Sequence, residues 1–308
     1  MVTSRALSRG ADRRKLAAER ARNMNTPLHH QRAAVALFVT ATLCAEPASA
    51  ATLQPRTVQA WETYIQSTER RIDDEIGGET AFLILDFKPQ EERAKIRKTL
   101  DDGRVYVEKL KTRADRGKQI KVEDGMIHHW FGAILVPDVT LETLTKWVQD
   151  YERHSEYFSE VEKSRLLARD GDNFQISLRL VRKKIVTVRY YTEHAVVYRT
   201  HAANRVSSRS VAGRIAEVSG GGGAVETEKT SADDSGFLWR LNSYWRFEEA
   251  DRGVIVECES ISLSRSIPFG LGWLIGPFVE SVPRESLNDM LVAIRDGMKR
   301  KEDGTPGP

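Results

Sequence analysis

The sequence predicts an α+β fold in which a curved antiparallel sheet grips a long C-terminal helix. From residue 126 onward, one strand and one helix precede a long run of strands with no helix between them. The last helix carries an apolar stripe at spacings of three and four, formed by Leu287, Met290, Leu291, Ile294 and Met298. Such a stripe must be buried, and we expect it to lie on the aromatic face of the strands that precede it.

Two strands with a polar turn between them, GFLWRLNSYWRF and GVIVECESISLSR, are expected to form an antiparallel hairpin. Placing Phe247 opposite Val254 gathers aromatic, aliphatic and small polar side chains on one face. That face comprises Trp239, Leu241, Ser243, Trp245 and Phe247 of the first strand with Val256, Cys258, Ser260 and Ser262 of the second. On the other face, Arg240 and Arg246 come diagonal to Glu259 and Glu257, as exposed charge pairs of small energetic value.

The connection from Ile267 to Val279 has no charged residue and is interrupted by three glycines and two prolines. Because buried backbone normally needs regular hydrogen bonding, these interruptions predict a surface gate at the mouth of a cavity. We expect Trp273 to contact the ligand there and the segment to rest on a membrane surface. The alternative is a buried loop that closes the core. Ser281 and Pro283 are then expected to open the last helix.

Residues 1–50 have the pattern of a secretory leader. An apolar core follows Arg32, and after it comes Ala48-Ser49-Ala50, the small-residue pattern of a cleavage site. This pattern predicts a signal peptide cleaved after Ala50 and a secreted or periplasmic protein. Met24 is an alternative start, and an uncleaved anchor helix is the alternative to cleavage.

The charge of the chain depends on that leader. Its fifty residues hold eight Arg or Lys and three Asp or Glu, a net of +5, so the remaining residues carry −2 against +3 for the whole chain. A nucleic-acid footprint is therefore not predicted. One cysteine, Cys258, remains after the leader, which rules out an internal disulfide and predicts a buried thiol.

After the leader, we expect an N-terminal extension at 51–125, a main domain at 126–300 and a disordered tail at 301–308. The extension is predicted to be mostly helical, with helices ending at Gly77 and near Leu100 and two short strands around 104–107 and 119–122. In the main domain we expect a helix capped by Thr140 that continues to Phe158. Alternating apolar residues then predict strands at 161–170, 174–180, 185–191, 195–201 and 205–218.

Three stretches, taken in order, resemble the START-like or SRPBCC superfamily of helix-grip proteins, which includes polyketide cyclases and coenzyme Q-binding proteins. They are ILVPDVTLETLTKWVQDYERHSEYF, then VEKSRLLARDGD, then WRFEEADRGVIVECESISLSRSIP with ESVPRESLNDML. They span Met126 to Lys299, and residues 51–125 fall outside the resemblance. The resemblance implies a deep cavity between the sheet and the C-terminal helix, holding an apolar ligand.

The aromatic hairpin face also carries serine hydroxyls, so it suits an apolar ligand with a polar group. We expect the ligand to contact that face together with Trp273, Leu287 and Leu291. The expected role is to bind or carry a hydrophobic small molecule or lipid, without a cofactor or metal and without chemistry.

Two alternatives belong to other functional classes. The first is an enzyme resembling a cyclase or hydrolase that uses a cavity-facing histidine or tyrosine, and the second is an interaction module that docks through residues 51–125. His128 and His129 are adjacent on a strand and point to opposite faces, while His194 and His201 lie too far apart for a metal site. The sequence contains no nucleophile elbow, HExxH, CxxC or phosphate loop.

Overall fold

The computed structural model describes residues 53–78, 80–114, 117–184, 187–220, 226–230, 233–267 and 272–302, with the side chains of the last helix described from 281 to 299. The predicted leader and the residues after Glu302 lie outside this part of the chain. Lys301 and Glu302, expected in the tail, are the last residues of the final helix.

The N-terminal segment is helical, as predicted. Its elements are helix α1 (Pro55–Ile76), a 3-10 turn (Ile84–Phe87), helix α2 (Gln90–Asp101) and strand β1 (Tyr106–Lys109). Helix α1 begins with a proline, whose fixed backbone angle suits the first turn, and ends at the predicted Gly77. The predicted strand at 119–122 is wrong, because Gln119 makes only an isolated bridge to Arg113.

The remaining chain supplies eight strands and three helices of the described structure. They are β2 (Gly125–Pro137), α3 (Leu141–Val148), α4 (His154–Tyr157), β3 (Val161–Asp170), β4 (Asn173–Lys183), β5 (Thr187–Ala202), β6 (Arg205–Ser219), β7 (Thr227–Glu228), β8 (Arg240–Ala250), β9 (Gly253–Arg265) and α5 (Gly272–Glu302). The Thr140 hydroxyl caps α3 by accepting from the Thr143 N–H at 3.2 Å, as expected. The predicted continuous helix to Phe158 is wrong, because α3 ends at Val148 and α4 is a separate turn.

The strands form one antiparallel sheet in the order β1-β2-β9-β8-β6-β5-β4-β3, with β7 added to β6. Strand β2 pairs with β9 along its whole length, which joins the first and last long strands of the chain. The two strands predicted at 185–191 and 195–201 are one strand, β5, which keeps its pairing through a bulge at Glu193 and His194.

The β8–β9 hairpin differs from its predicted register by two residues. Phe247 lies opposite Val256 rather than Val254, because the turn is only two residues long, between Ala250 and Gly253. Gly253 has a φ of 130°, a conformation that favours glycine. Side chains alternate with a period of two, so this shift leaves every residue of the strands on its predicted face. The Cys258 thiol is buried, as expected.

Each face of the sheet is covered by a different set of helices. The inner face packs against α3, α4 and α5, whereas the outer face packs against α1, the 3-10 turn and α2. A side chain at Gly132 on β2 would place its Cβ 2.6 Å from a methyl carbon of Leu291. Glycine at this position therefore lets α5 lie directly on the sheet, with Leu287 and Leu291 fully buried. The predicted helix-grip architecture is confirmed.

Helix α5 begins at Gly272, nine residues earlier than predicted. The segment from 272 to 279 is therefore helical, and the inference that its glycines and prolines make it irregular is wrong. These residues lower helix propensity, but they do not by themselves forbid a helix in a folded protein. Residues 268–271 and the side chain of Trp273 lie outside the described residues.

The charged side chains of the hairpin are buried, which corrects their prediction as exposed pairs. Arg246 is 2% exposed and donates to the Phe82 carbonyl at 2.8 Å and to Glu75 at 2.5 Å. Glu257 is completely buried and accepts from the N–H groups of Ile84 and Leu85 at 2.5 and 3.1 Å. The extension covers this face, and nothing in the hairpin sequence itself indicates that it does.

Glu259 forms a second buried contact between the hairpin and α1. Its carboxylate lies 2.6 Å from His129 Nε2 and accepts from Arg71 of α1. Burial alone would raise the pKa of Glu259, but the His129 hydrogen bond and the charge of Arg71 outweigh burial and lower that pKa to about 2. Arg240, the predicted partner of Glu259, instead donates to the Trp239 carbonyl.

Candidate ligand groove

The central strands carry a groove on the inner face of the sheet. The described half of α5 packs mainly on β2, and several inner side chains of the strands beyond it remain half-buried. We define the inner groove by its half-buried residues, which are Trp130, Leu178, Val206, Ser210, Leu241, Ser243, Trp245 and Ser260.

A row of hydroxyl groups crosses the inner groove. Ser210 of β6 lies opposite Ser243 of β8, and Ser243 lies opposite Ser260 of β9. Ser260 in turn lies opposite Trp130 of β2. Because directly opposed residues of an antiparallel pair have Cβ atoms about 5 Å apart, the three hydroxyls form a continuous polar line bounded by an indole.

The groove has no formal charge along its central rows. Within the described structure, no Asp, Glu, Lys or Arg occupies an inward position in these stretches: Met126 to Val136 on β2, Val254 to Ser264 on β9, Leu241 to Phe247 on β8, Val206 to Ala212 on β6, and Thr192 to Tyr198 on β5. Lys109 of β1 lies at the border of the groove, with its ammonium 5.9 Å from the centre of the Trp130 ring, but an ion within the central rows would lose its hydration without gaining a partner of opposite charge there. The groove therefore suits a neutral, apolar molecule with hydrogen-bonding groups.

The residues predicted to contact the ligand divide into two groups. Leu241, Ser243, Trp245 and Ser260 are half-buried and belong to the inner groove. The others lie deeper and pack in the core under α5, namely Phe247, Val256, Cys258, Leu287 and Leu291. Serines and a tryptophan thus provide the accessible surface, while the aliphatic residues hold the helix on the sheet.

Trp239 does not lie on the groove face. It precedes β8 and packs with Trp61 and Ile65 of α1 and with Tyr244 on the outer side of the sheet. The prediction assumed that the alternation of β8 extends back to Trp239, but the strand begins only at Arg240. Its large apolar surface is used to bind the extension.

His194, which the sequence places too far from His201 for a metal site, is an inner-face residue of β5. Its Nε2 lies 2.9 Å from the Thr192 hydroxyl and its Nδ1 lies 3.2 Å from the Ser210 hydroxyl of the groove. Burial lowers its pKa to about 4, so the ring is neutral at physiological pH. The alternation of inward residues along β5 could have revealed it, but the predicted break in that strand fell at this residue.

Two indole groups border the groove. The Trp245 N–H donates to the Ser243 hydroxyl at 3.2 Å, and its ring stacks on Phe247 with centroids 6.1 Å apart. The Trp130 Nε1 is buried and has no hydrogen-bond partner among the described residues. A buried donor without a partner is costly, so an oxygen atom of a ligand would satisfy it.

The two adjacent histidines point to opposite faces, as predicted. His128 faces inward and its Nε2 lies 2.9 Å from the Ser264 hydroxyl. His129 faces α1, where its Nδ1 lies 2.8 Å from the Tyr64 hydroxyl. His129 is thus buried between α1 and the sheet, away from the groove.

Ion pairs attach the N-terminal part of α5 to the far side of the groove. Arg182 of β4 donates to Glu285 at 2.8 Å, and Lys184 also contacts Glu285. The hydrogen bond from Lys184 is the main reason that the pKa of Glu285 is lowered. Helix α5 therefore crosses from β2 to β4, and these partly exposed pairs hold it there.

An open depression of about 520 Å³ lies at α1 on the outer side, lined by Ser67, Arg70, Arg71, Asp74, Glu75, Phe87, Arg113 and Ala114.

No group of three potential metal ligands occurs in the described ranges. None of the helices in that part of the chain is both long and apolar enough to span a bilayer.

Comparison with known proteins identifies no family model and no curated protein that matches the chain. Solved structures that it resembles include human STARD10, at 10% identity and a TM-score of 0.42, covering 74% of this chain and 87% of that one. A STAR-related lipid transfer protein from Xanthomonas axonopodis matches at 15% identity and a TM-score of 0.41, covering 58% and 96%. The Zhui aromatase/cyclase from Streptomyces sp. R1128 matches at 12% and 0.35, covering 57% and 96%.

Proposed function

We propose that the chain binds or carries a hydrophobic small molecule or lipid in the inner groove. The observation that carries this proposal is the half-buried central part of the inner face, whose rows carry no formal charge and where Trp130 and Trp245 flank a row of three serine hydroxyls. Apolar surface of this kind gains free energy when a ligand removes it from water. The hydroxyls and the Trp130 N–H would bind a carbonyl or hydroxyl group of the ligand.

The role we propose is binding without chemistry. His194, the histidine beside the serine row, lies between two hydroxyl groups, and burial keeps its ring neutral. Because both ring nitrogens contact hydroxyl groups, the ring orients Ser210 in the groove and does not itself act on a ligand. The solved structures that the chain resembles include a lipid transfer protein and an aromatase/cyclase, and a hydrophobic ligand accords with both.

Export and membrane contact belong to the same proposal. The pattern of residues 1–50 supports cleavage after Ala50 and a secreted or periplasmic location. Expression in a Gram-negative host should yield a periplasmic protein that begins at Ala51, and an uncut chain in the cytoplasm would contradict export. The uncharged 267–279 segment supports contact with a membrane surface, and Trp273→Ser should then weaken liposome association without lowering the unfolding midpoint.

Native mass spectrometry of the purified chain tests the proposed ligand site. The parent protein should carry an added mass that extraction with organic solvent removes. Ser243→Glu places a carboxylate in the groove, and the several kcal/mol needed to desolvate it should abolish the added mass. Ala195→Glu introduces the same charge on the outer face, where Ala195 is exposed, and should retain the ligand. Equal retention by both variants would contradict the proposal.

A further inference from the structure

Basic residues are concentrated in one part of the sheet. Residues 161–219, which form β3 to β6, contain twelve Arg or Lys and five Asp or Glu, a net of +7. Residues 51–160 and 220–308 together carry a net of −9. The protein is therefore strongly polarised even though its charge without the leader is close to zero.

Most of the arginines in this region have acidic partners. Arg214 pairs with Glu193 and Glu228, and Arg189 pairs with Glu162. These pairs neutralise their own charges and leave little attraction for a partner.

Three cations at the free edge of the sheet are different. Lys163 and Arg165 of β3 and Lys183 of β4 are exposed, and their side chains make no ion pair or hydrogen bond with any described residue. The pairing of Lys163 with Arg179 and of Arg165 with Ser177 places these β3 side chains on the outer face of the two edge strands. Leu167, which is 48% exposed, follows at a bulge in β3. We name Lys163, Arg165, Leu167 and Lys183 the edge strip.

We propose that the edge strip docks the protein on an anionic membrane surface. Three unpaired cations distributed along the two edge strands, with one exposed aliphatic residue on β3, match the combination that attracts lipid headgroups and inserts among them. The acidic remainder of the chain would be repelled by the same surface, so the docked protein has one favoured orientation.

The docked orientation also bears on the proposed ligand site. Of the steps in this inference, only this one rests on the proposed function. Strand β4 supplies both Lys183 of the edge strip and the inward Leu178 of the groove. The same strand end holds α5 through the Arg182–Glu285 pair. Docking by the edge strip would therefore bring the β4 side of the groove and the N-terminal part of α5 near the lipid.

The test compares two triple variants with the same change in net charge. Lys163→Gln, Arg165→Gln and Lys183→Gln remove the edge-strip cations. Lys95→Gln, Lys98→Gln and Lys146→Gln form the control, because these lysines are at least 70% exposed on α2 and α3, away from the β3 edge. Full-length chain is used for both, so that the basic leader contributes equally.

Binding is measured by co-sedimentation with vesicles of phosphatidylcholine, alone or mixed with phosphatidylserine, across a salt series. The parent should bind only the mixed vesicles, and less tightly as salt increases. Since each cation near such a surface contributes about 1 kcal/mol, a factor of about five, loss of all three should weaken binding roughly a hundredfold. The control triple should remain close to the parent.

Three results would overturn the proposal. Equal weakening by both triples would show that only net charge matters, and failure of the folded parent to prefer phosphatidylserine would exclude an anionic membrane. Binding to an acidic protein without binding to the vesicles would also count against it. The edge-strip variant is also examined for bound ligand by native mass spectrometry. If it keeps the ligand but no longer binds vesicles, docking and ligand binding depend on different residues, and the two proposals can fail separately.

Discussion

Replacing Leu291 by alanine tests how α5 is held on the sheet. Leu291 is completely buried, and its methyl carbon faces Gly132, which has no side chain to fill the space left behind. Leucine-to-alanine changes in cores cost about 2–5 kcal/mol, and the cost rises with the volume of the residual cavity. Because the glycine cannot close the cavity, we expect a loss in the upper half of that range, about 3–5 kcal/mol.

Denaturant titration with a matched control measures this effect. Leu167→Ala makes the same chemical change at a residue that is 48% exposed, and surface changes usually stay within about 0.5 kcal/mol. Both variants should have the parent's dependence of unfolding free energy on denaturant concentration, so that only the midpoint differs. A loss below about 1 kcal/mol for Leu291→Ala would mean that α5 does not pack on β2 as described.

Three further changes test other parts of the structure. Gly297→Ala should lower the melting temperature, although alanine normally stabilises a helix, because the new Cβ would lie 2.4 Å from the Trp147 ring; a rise would contradict the close contact. Arg246→Ala should cost about 3–5 kcal/mol in a denaturant titration, since it leaves the buried Phe82 carbonyl without its donor and removes the cation beside the buried Glu257 carboxyl, and a cost below about 1 kcal/mol would show that water replaces the arginine. The lowered pKa of Glu259 contributes stability that is complete above its unfolded value of 4.5 and is lost as pH falls towards 2. Arg71→Met should therefore reduce the acid-induced loss of stability between those pH values, and an unchanged pH profile would refute the assigned contact.

The fold could be predicted because its signals are local and periodic. Alternation along β4, β8 and β9 and the stripe of Leu287, Leu291 and Ile294 each bury one face, and they leave one arrangement of sheet and helix that buries both. Even the wrong hairpin register preserved the faces, because an error of two residues matches the period of a strand.

The burial of the outer face could not be predicted, because it depends on contacts between residues that are far apart in the chain. Whether Arg246 and Glu257 are exposed depends on α1 and the 3-10 turn, which are more than 150 residues away in the chain. Their partners are backbone atoms, namely the Phe82 carbonyl and the N–H groups of Ile84 and Leu85. The residue types at these positions therefore do not indicate the contacts. Long-range polar contacts of this kind require the assembled structure.

The groove itself was only partly predictable. Ser243, Trp245 and Ser260 follow from strand alternation, but His194 depends on treating β5 as one continuous strand. The predicted gap fell at residues 192–194, whereas the pairing of β5 with β4 and β6 makes the strand continuous there. Tertiary pairing thus overrode the local pattern at a buried residue that holds one hydroxyl of the groove.

Photo-crosslinking with a fatty acid that carries a diazirine near its carboxyl end, offered as its neutral methyl ester, tests the central claim most directly. After irradiation and digestion, the label should lie on peptides of β8 and β9 that contain Ser243, Trp245 or Ser260, with a second site near Trp130. Excess unlabelled ester should compete it away, and Ser243→Glu should remove it. Labelling confined to outer-face peptides, such as those of α1, would show that the inner groove is not the binding site.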